Sequence, residues 1–315
     1  MNISAIVPVK NGEKYLINSF NHSIKNLRKS DELIYIDDNS TDNSWRVLKK
    51  ISEHYSNVTV IRNRGMGIVD ALNYGISKAK NEWIARFDID DLYPKNRIEL
   101  QRALINPQTA AIFCDYIFID EGNNFLGQVL SPVFNSSTTR SLINSQRTPH
   151  PGVLFSKIIY LKAGGYKKKD FPVEDIALWW RMSKFGNLVS VPRVLLYYRI
   201  HQNSTTAINR QKVKLKRFEV TKRYFELRDL STRNLFKNEY KNYKLFADFH
   251  ERQVLAVRDY FTFLLHANLK NKLALHLFIY GPKVMLNPKK IIVIFRLLKE
   301  KIRRHNYKLT YFNSE

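Results

Sequence analysis

The feature that most constrains this chain is a regular alternation of short β-rich runs with amphipathic segments through its first third. Ile3–Val9 reads as a strand, Glu13–Asn26 as a helix with Tyr15, Leu16, Ile17, Phe20 and Ile24 available for a buried face, and Leu33–Ile36 as a second strand. Ser44–Tyr55 reads as a second helix, introduced by the cap-like residues Ser40, Thr41, Asp42 and Asn43. Val58–Ile61, Ile68–Lys80 and Trp83–Phe87 continue as strand, helix and strand. Strand–helix–strand repetition at this spacing predicts a parallel sheet with right-handed crossovers. Ligands of such sheets sit beyond the carboxyl ends of the strands. Two acidic groups, Asp37-Asp38 and Asp88-Ile89-Asp90-Asp91, stand at such ends, so both are expected to face one crevice.

Beyond Ala110–Ile119 the rhythm changes. Strand-like Val153–Phe155, Leu188–Val191 and Val194–Ile200 mix with helical Ile158–Ala163 and Ile176–Phe185, and the polar run Gln202–Asn209 reads as a boundary. The remainder is helical, basic and aromatic, in the segments Lys212–Arg228, Glu239–Leu264, Asn271–Tyr280 and Lys289–Arg304. Charge follows the same division. Of a net +24, residues 210–315 hold 25 Lys/Arg against 9 Asp/Glu, and residues 1–209 hold 27 against 19. Such a bias points to an acidic partner. The lone cysteine, Cys114, lies in the apolar run and reads as a buried strand residue, and a single cysteine fits a reducing compartment. No basic leader opens the chain and no apolar run approaches the roughly 18 residues of a membrane span, so a soluble or peripheral protein is expected.

Asp88-x-Asp90-Asp91 offers crowded hard-oxygen ligands, which repel one another unless a cation neutralises them and which suit Mg²⁺ or Mn²⁺. Alone, an Asp-rich tetrapeptide is better read as a solvated turn; its company changes the reading. Asn63-Arg64-Gly65-Met66-Gly67 precedes a helix, where glycines allow close backbone approach and the N-terminus favours anions. Glu174-Asp175 opens another helix, as a cap or as a general base for an attacking hydroxyl. His201 closes Tyr197-Tyr198-Arg199-Ile200-His201 and, taken singly, is not assigned.

In order, these elements resemble the family-2 glycosyltransferases of GT-A fold, particularly the bacterial enzymes that build capsular and lipopolysaccharide glycans. The resemblance is carried by Val7-Pro8-Val9-Lys10-Asn11-Gly12-Glu13, Ile36-Asp37-Asp38-Asn39-Ser40-Thr41-Asp42, Asn63-Arg64-Gly65, Ala71-Leu72-Asn73-Tyr74-Gly75, Ile84–Asp91, His150-Pro151, Gly164-Gly165-Tyr166, Glu174-Asp175 with Arg181, and Tyr198–His201. It implies an α/β fold with a mixed, mostly parallel sheet flanked by helices over residues 1–206, followed by a basic helical extension over 207–315. It implies that Pro8, Val9, Asp37, Asp38 and Gly65 line the nucleotide pocket, with Asp88 facing the nucleotide. Asp90 is the implied direct metal ligand, with His201 and Asp88, for Mn²⁺ or Mg²⁺. Asp175, or failing that Glu174, is the implied base, and Arg181 a lesser contact to donor or acceptor. The implied reaction is inverting transfer from a nucleotide-sugar donor, UDP-sugar first, to a glycan or lipid-linked saccharide acceptor, at the inner face of the cell membrane. Gly67 and Phe87 depart from the family's usual residues without touching the chemistry.

Two rival classes remain. Arg217-Phe218, Arg223-Tyr224-Phe225 and Lys241-Asn242-Tyr243-Lys244 have the basic–aromatic interleaving of a nucleic-acid surface, but no recognised binding motif accompanies them. An anionic membrane surface explains the same charge. A nucleotidyltransferase needs a basic phosphate-gripping loop after the first strand, and Lys10-Asn11-Gly12-Glu13 offers one lysine. The sugar, linkage and oligomeric state are not encoded legibly.

Overall fold

The computed structural model describes residues 1–129, 148–202 and 204–226. The expected alternation is present: β1 (Ile3–Val9), α1 (Glu13–Ile24), β2 (Glu32–Asp37), α2 (Ser44–His54), β3 (Val58–Arg62), α3 (Ile68–Lys78) and β4 (Trp83–Arg86). There follow α4 (Arg97–Arg102), β5 (Thr109–Ile119), β6 (Phe125–Val129), β7 (Leu154–Ser156), α5 (Lys157–Lys162), α6 (Glu174–Met182), β8 (Asn187–Arg199), α7 (Thr205–Ile208) and α8 (Arg210–Glu226). One sheet runs in the order β3-β2-β1-β4-β7-β5-β6, with β8 also paired to β5. The β1–β2, β2–β3, β1–β4 and β5–β8 pairs are parallel, and β7 joins the two halves antiparallel to both β4 and β5.

All seven residues of β1 and all six of β2 are buried, the mark of a sheet covered on both faces. Alternation sorts them. Ile3, Ala5, Val7, Val9, Leu33 and Tyr35 pack toward Leu16 and Phe20 of α1 and Leu48 of α2. Ile6, Ile34 and Ile36 pack toward Leu72 and Ile76 of α3, on the face that also takes Leu178 and Trp179 of α6. Ile17 corrects the expected face of α1, being 58% exposed; Ser19 and Ser23 are buried instead. Helix α3 lies very close to the sheet, since a Cβ on Gly75 would come within 2.5 Å of Ile36 Cδ1. Helix α4 reaches into the sheet with polar side chains. Arg97 Nη2 donates to the carbonyls of Arg86 and Val153, and Gln101 Nε2 to those of Ile112 and Gly152, filling bonds where β4 and β5 diverge.

Leu188–Val191 and Val194–Ile200, expected as two strands, form the single strand β8. Its register against β5 shifts around Asp115, because Pro192 has no N–H for the ladder. The chain divides into compact units Met1–Leu227 and Arg228–Glu315. Helix α8 belongs to the first because Val220 is buried against Val173, Ala177 and Trp180. The segments Glu239–Leu264, Asn271–Tyr280 and Lys289–Arg304 lie outside the described residues. Among the described residues no helix is long and apolar enough to cross a membrane.

Candidate active site

Strand β4 delivers Asp88, Asp90 and Asp91 to the carboxyl edge of the sheet, where their oxygens lie within 4.8 Å of one another. Each is held differently. Arg86 Nη2 donates to Asp88 Oδ1 at 2.6 Å, and the Asp88 N–H donates to the Tyr93 hydroxyl at 2.7 Å. Asp90 Oδ2 lies 2.8 Å from His201 Nε2. Asp91 is buried; its Oδ1 accepts the Arg199 N–H at 2.7 Å, while Oδ2 has no partner among the described residues. Burial first, then neighbouring carboxylates, raises the Asp88 carboxyl above its usual range and Asp91 well above it, although Arg86 opposes the shift at both. The set therefore fits a divalent cation: oxygen donors crowded to mutual repulsion, one buried oxygen unpartnered, and an imidazole nitrogen alongside. Asp91, part of the acidic tetrapeptide but not among the ligands that the resemblance implies, belongs to this group.

The end of β8 pins the cluster from the far half of the sheet. Leu92 and Tyr197 exchange backbone hydrogen bonds at 3.1 and 2.8 Å. Arg199 then donates from Nε to the Asp90 carbonyl, from Nη1 to the Asp120 carbonyl and from Nη2 to Asn123 Oδ1, all within 2.7 Å. His201 is thus carried to Asp90 by a braced strand end.

The neighbouring strand ends form a second wall. Pro8 and Val9 are buried in β1, paired with Ile36 and Asp37. Asp37 has no exposed surface; it accepts the Ser40 N–H and pairs with Arg62 Nε at 3.4 Å, so it braces the turn after β2. Asp38 holds the glycine loop, Oδ1 accepting from Asn63 Nδ2 at 2.6 Å and Oδ2 from the Gly67 N–H at 3.1 Å. Gly65 and Gly67 have φ of 75° and 96°, left-handed values that favour glycine.

A third wall is the acid pair. Glu174 and Asp175 begin α6 after Val173. Glu174 is 5% exposed and its Oε2 is unpartnered among the described residues. Burial, then Asp175, pushes its carboxyl up to about 8, with Asp88 contributing in the same direction. Asp175 is half-buried and raised by burial, while the Ile176 N–H, Arg217 and Arg86 pull the other way. The acid pair and the acidic cluster therefore sense each other across the crevice. Arg86 is buried, bonded to Asp88, and its charge is felt at Asp88, Glu174, Asp175, Tyr166 and His150. His150 Nε2 lies 2.8 Å from the Tyr166 hydroxyl, and burial followed by Arg86 holds the imidazole neutral.

Arg181 is bonded to the loop that precedes α6: Nε donates to the Ala163 carbonyl at 2.9 Å, Nη2 to that of Gly165, and Nη1 to Asp170 Oδ2 at 3.0 Å, which makes it a brace for the Gly164–Val173 loop.

The model of the family described as "Glycosyl transferase family 2" matches residues 4–163. The chain belongs to this family. Among curated relatives of this glycosyltransferase, an uncharacterized glycosyltransferase of Haemophilus influenzae is 25% identical over 236 residues, covering 70% of this chain and 73% of the relative. The glycosyltransferase GlyG of Streptococcus pneumoniae is 35% identical over 124 residues, 38% of this chain and 41% of GlyG. Among solved structures, S. aureus TarS 1-349 in complex with UDP superposes with a TM-score of 0.56 at 17% identity, over 73% of this chain and 67% of that one. The mannosyltransferase PcManGT of Pyrobaculum calidifontis, in complex with GDP-Man and Mn2+, gives 0.57 at 15% identity, over 92% and 82%. The fold is GT-A.

Sequence reasoning missed Arg86 as part of this glycosyltransferase site. The signal was present: an arginine inside Trp83-Ile84-Ala85-Arg86-Phe87 is costly to bury without an anionic partner. It also missed the Asn73 clasp, in which Oδ1 accepts from the Tyr160 hydroxyl and the Tyr166 N–H while Nδ2 donates to the Tyr166 carbonyl. No spacing rule links residues so far apart.

Proposed function

We propose that the chain is a metal-dependent, inverting glycosyltransferase that moves a sugar from a nucleotide-diphosphate donor to a hydroxyl of a glycan or lipid-linked saccharide. The observation that carries this reading is the convergence of the acidic cluster, His201 and the acid pair on one crevice around Arg86. Asp90, Asp91, Asp88 and His201 would hold Mn²⁺ or Mg²⁺, which when bound neutralises charge developing on a leaving diphosphate. Asp38, Gly65 and the interior residues Pro8 and Val9 form the wall assigned to the nucleotide, with Asp37 bracing it from beneath. That relatives of the same fold were solved with UDP and with GDP-Man and Mn2+ supports a nucleotide sugar as donor.

The acid pair divides its labour by environment. Glu174, raised to about 8, keeps its proton near neutrality. Asp175 is the more exposed member and has Arg217 and Arg86 nearby, so it serves as the carboxylate base for the acceptor hydroxyl. Attack on the face opposite the diphosphate then inverts the anomeric centre. A role in bacterial surface polysaccharide synthesis, at the inner membrane face with residues 207–315 as the docking segment, accords with the basic C-terminal third.

The test is a panel of nucleotide sugars assayed with and without Mn²⁺ for thermal protection and turnover, with product anomers read by NMR. Turnover that survives chelation, or a product retaining the donor's configuration, overturns the respective part. Asp175→Asn is expected to lower kcat by about 10²–10⁴-fold with folding intact; near-normal turnover removes the base assignment.

A further inference from the structure

Residues 210–226 lie beyond the family match, and α8 reads from composition as a solvated basic helix. One face of it is nevertheless covered. Val213, Arg217 and Val220 recur at i, i+4 and i+7 and so share a face. Val213 and Val220 pack with Val173, Ile176, Ala177 and Trp180, which surround the start of α6, while Gln211, Lys212, Leu215 and Glu219 are exposed. Arg217 stands between the two valines and is thereby carried to the first turn of α6, where Asp175 feels its charge. Its Nε is buried and without a hydrogen-bond partner among the described residues, so the guanidinium retains a donor.

A second tie fixes α8 in place. Arg223 Nη1 donates to Asp170 Oδ1 at 2.6 Å, and the other oxygen of that fully buried carboxylate accepts from Arg181 Nη1 at 3.0 Å. Arg223 Nη2 also donates to Glu219 at 2.7 Å. The loop that leads into the acid pair is thus held between an arginine of α6 and an arginine of α8.

We propose that α8 is part of the catalytic apparatus and that Arg217 is the positioning residue for Asp175. The inference rests on Asp175 being the base. The charged and titratable groups facing Asp175 are Glu174 from its own helix, Arg86 at the end of β4, Tyr166 from the preceding loop and Arg217 from α8. Burial favours protonation of Asp175, and the two arginines oppose it. Without Arg217 the base takes up its proton at higher pH, so activity is lost first at the acid end.

The experiment is a pH profile of kcat for the full chain and for Arg217→Gln, Arg217→Met and Arg217→Lys, each checked by thermal melting. Met keeps the apolar stem between the valines, so that one charge-free variant remains if Gln does not fold. Gln and Met are expected to shift the acid limb to higher pH and to reduce kcat about tenfold below about pH 7, the deficit closing at alkaline pH, with KM for the donor little changed. Lys is expected to restore the profile substantially. A uniform loss across pH, an unmoved limb, or a Lys variant that behaves as Gln does overturns the inference. Asp175→Asn, run in parallel, separates the two levels: if it keeps turnover the base assignment fails, whereas if it abolishes turnover and the Arg217 variants leave the limb unmoved, only the role of α8 fails.

Discussion

Three carboxyl groups and one thiol carry the residue-scale consequences. Glu174 is raised from an ordinary 4.5 to about 8 in the folded chain. Between those values the folded state binds more proton than the unfolded state, so stability falls as pH rises through this window. In metal-free protein, melting temperature is expected to decline from about pH 5 to about pH 8. Glu174→Gln should flatten part of that decline, because its amide has no proton to lose; an unchanged slope would show that the carboxyl is not held neutral. Asp88 and Asp91 push in the same direction. A bound divalent cation is therefore expected to raise the melting temperature more at the alkaline end. Cys114 is fully buried and its thiol is pushed up to about 12 by burial, so iodoacetamide should label it only when the chain is unfolded.

At the scale of elements, α3 tests how closely helix and sheet are fitted. A methyl on Gly75 would meet Ile36 Cδ1 at 2.5 Å and Ile6 Cγ2 at 3.3 Å. Gly75→Ala removes a helix glycine, worth up to about 1 kcal/mol in its favour, yet overpacking at such a contact costs about 1–3 kcal/mol. The net expectation is a lower melting temperature, and a rise would show that α3 has room to shift. The elements themselves were largely legible, because strands buried on both faces are mostly apolar and the crossover helices carry period-3.6 stripes. What was not legible came from long-range register. Pro192 splits the apolar pattern of β8 into two runs, and only pairing with β5 shows one bulged strand. Ile17 sits on the apolar stripe of α1 read from sequence but is exposed, while the small Ser19 and Ser23 are buried beside Leu16 and Phe20. The candidate site was legible where a motif is contiguous, as in Asp88–Asp91, and illegible where side chains meet across elements, as with Arg86 and the acid pair.

At the scale of the whole molecule, charge is the property that composition announces and local pairing conceals. The described part of α8 shows both uses of it: Arg217 and Arg223 turn inward to Asp175 and Asp170, while Lys212 faces solvent. If residues 207–315 dock to an anionic membrane, the full chain should co-sediment with phosphatidylserine vesicles at low salt and be released as salt rises through about 0.5 M. Binding that is absent, or indifferent to salt, removes the docking assignment. The pinning of Asp90 and Asp91 by Arg199, 109 and 108 residues later, has a consequence for the order in which the protein is made. A nascent chain that has emerged only through β7 already carries the three crowded carboxylates and Arg86, but neither the His201 imidazole beside Asp90 nor the Arg199 N–H that Asp91 accepts. Since early portions of a chain fold while later ones are still being synthesised, Asp90 and Asp91 wait for β8 and the residues after it to complete their bonding. A chain truncated before β8 therefore lacks the completed acidic cluster.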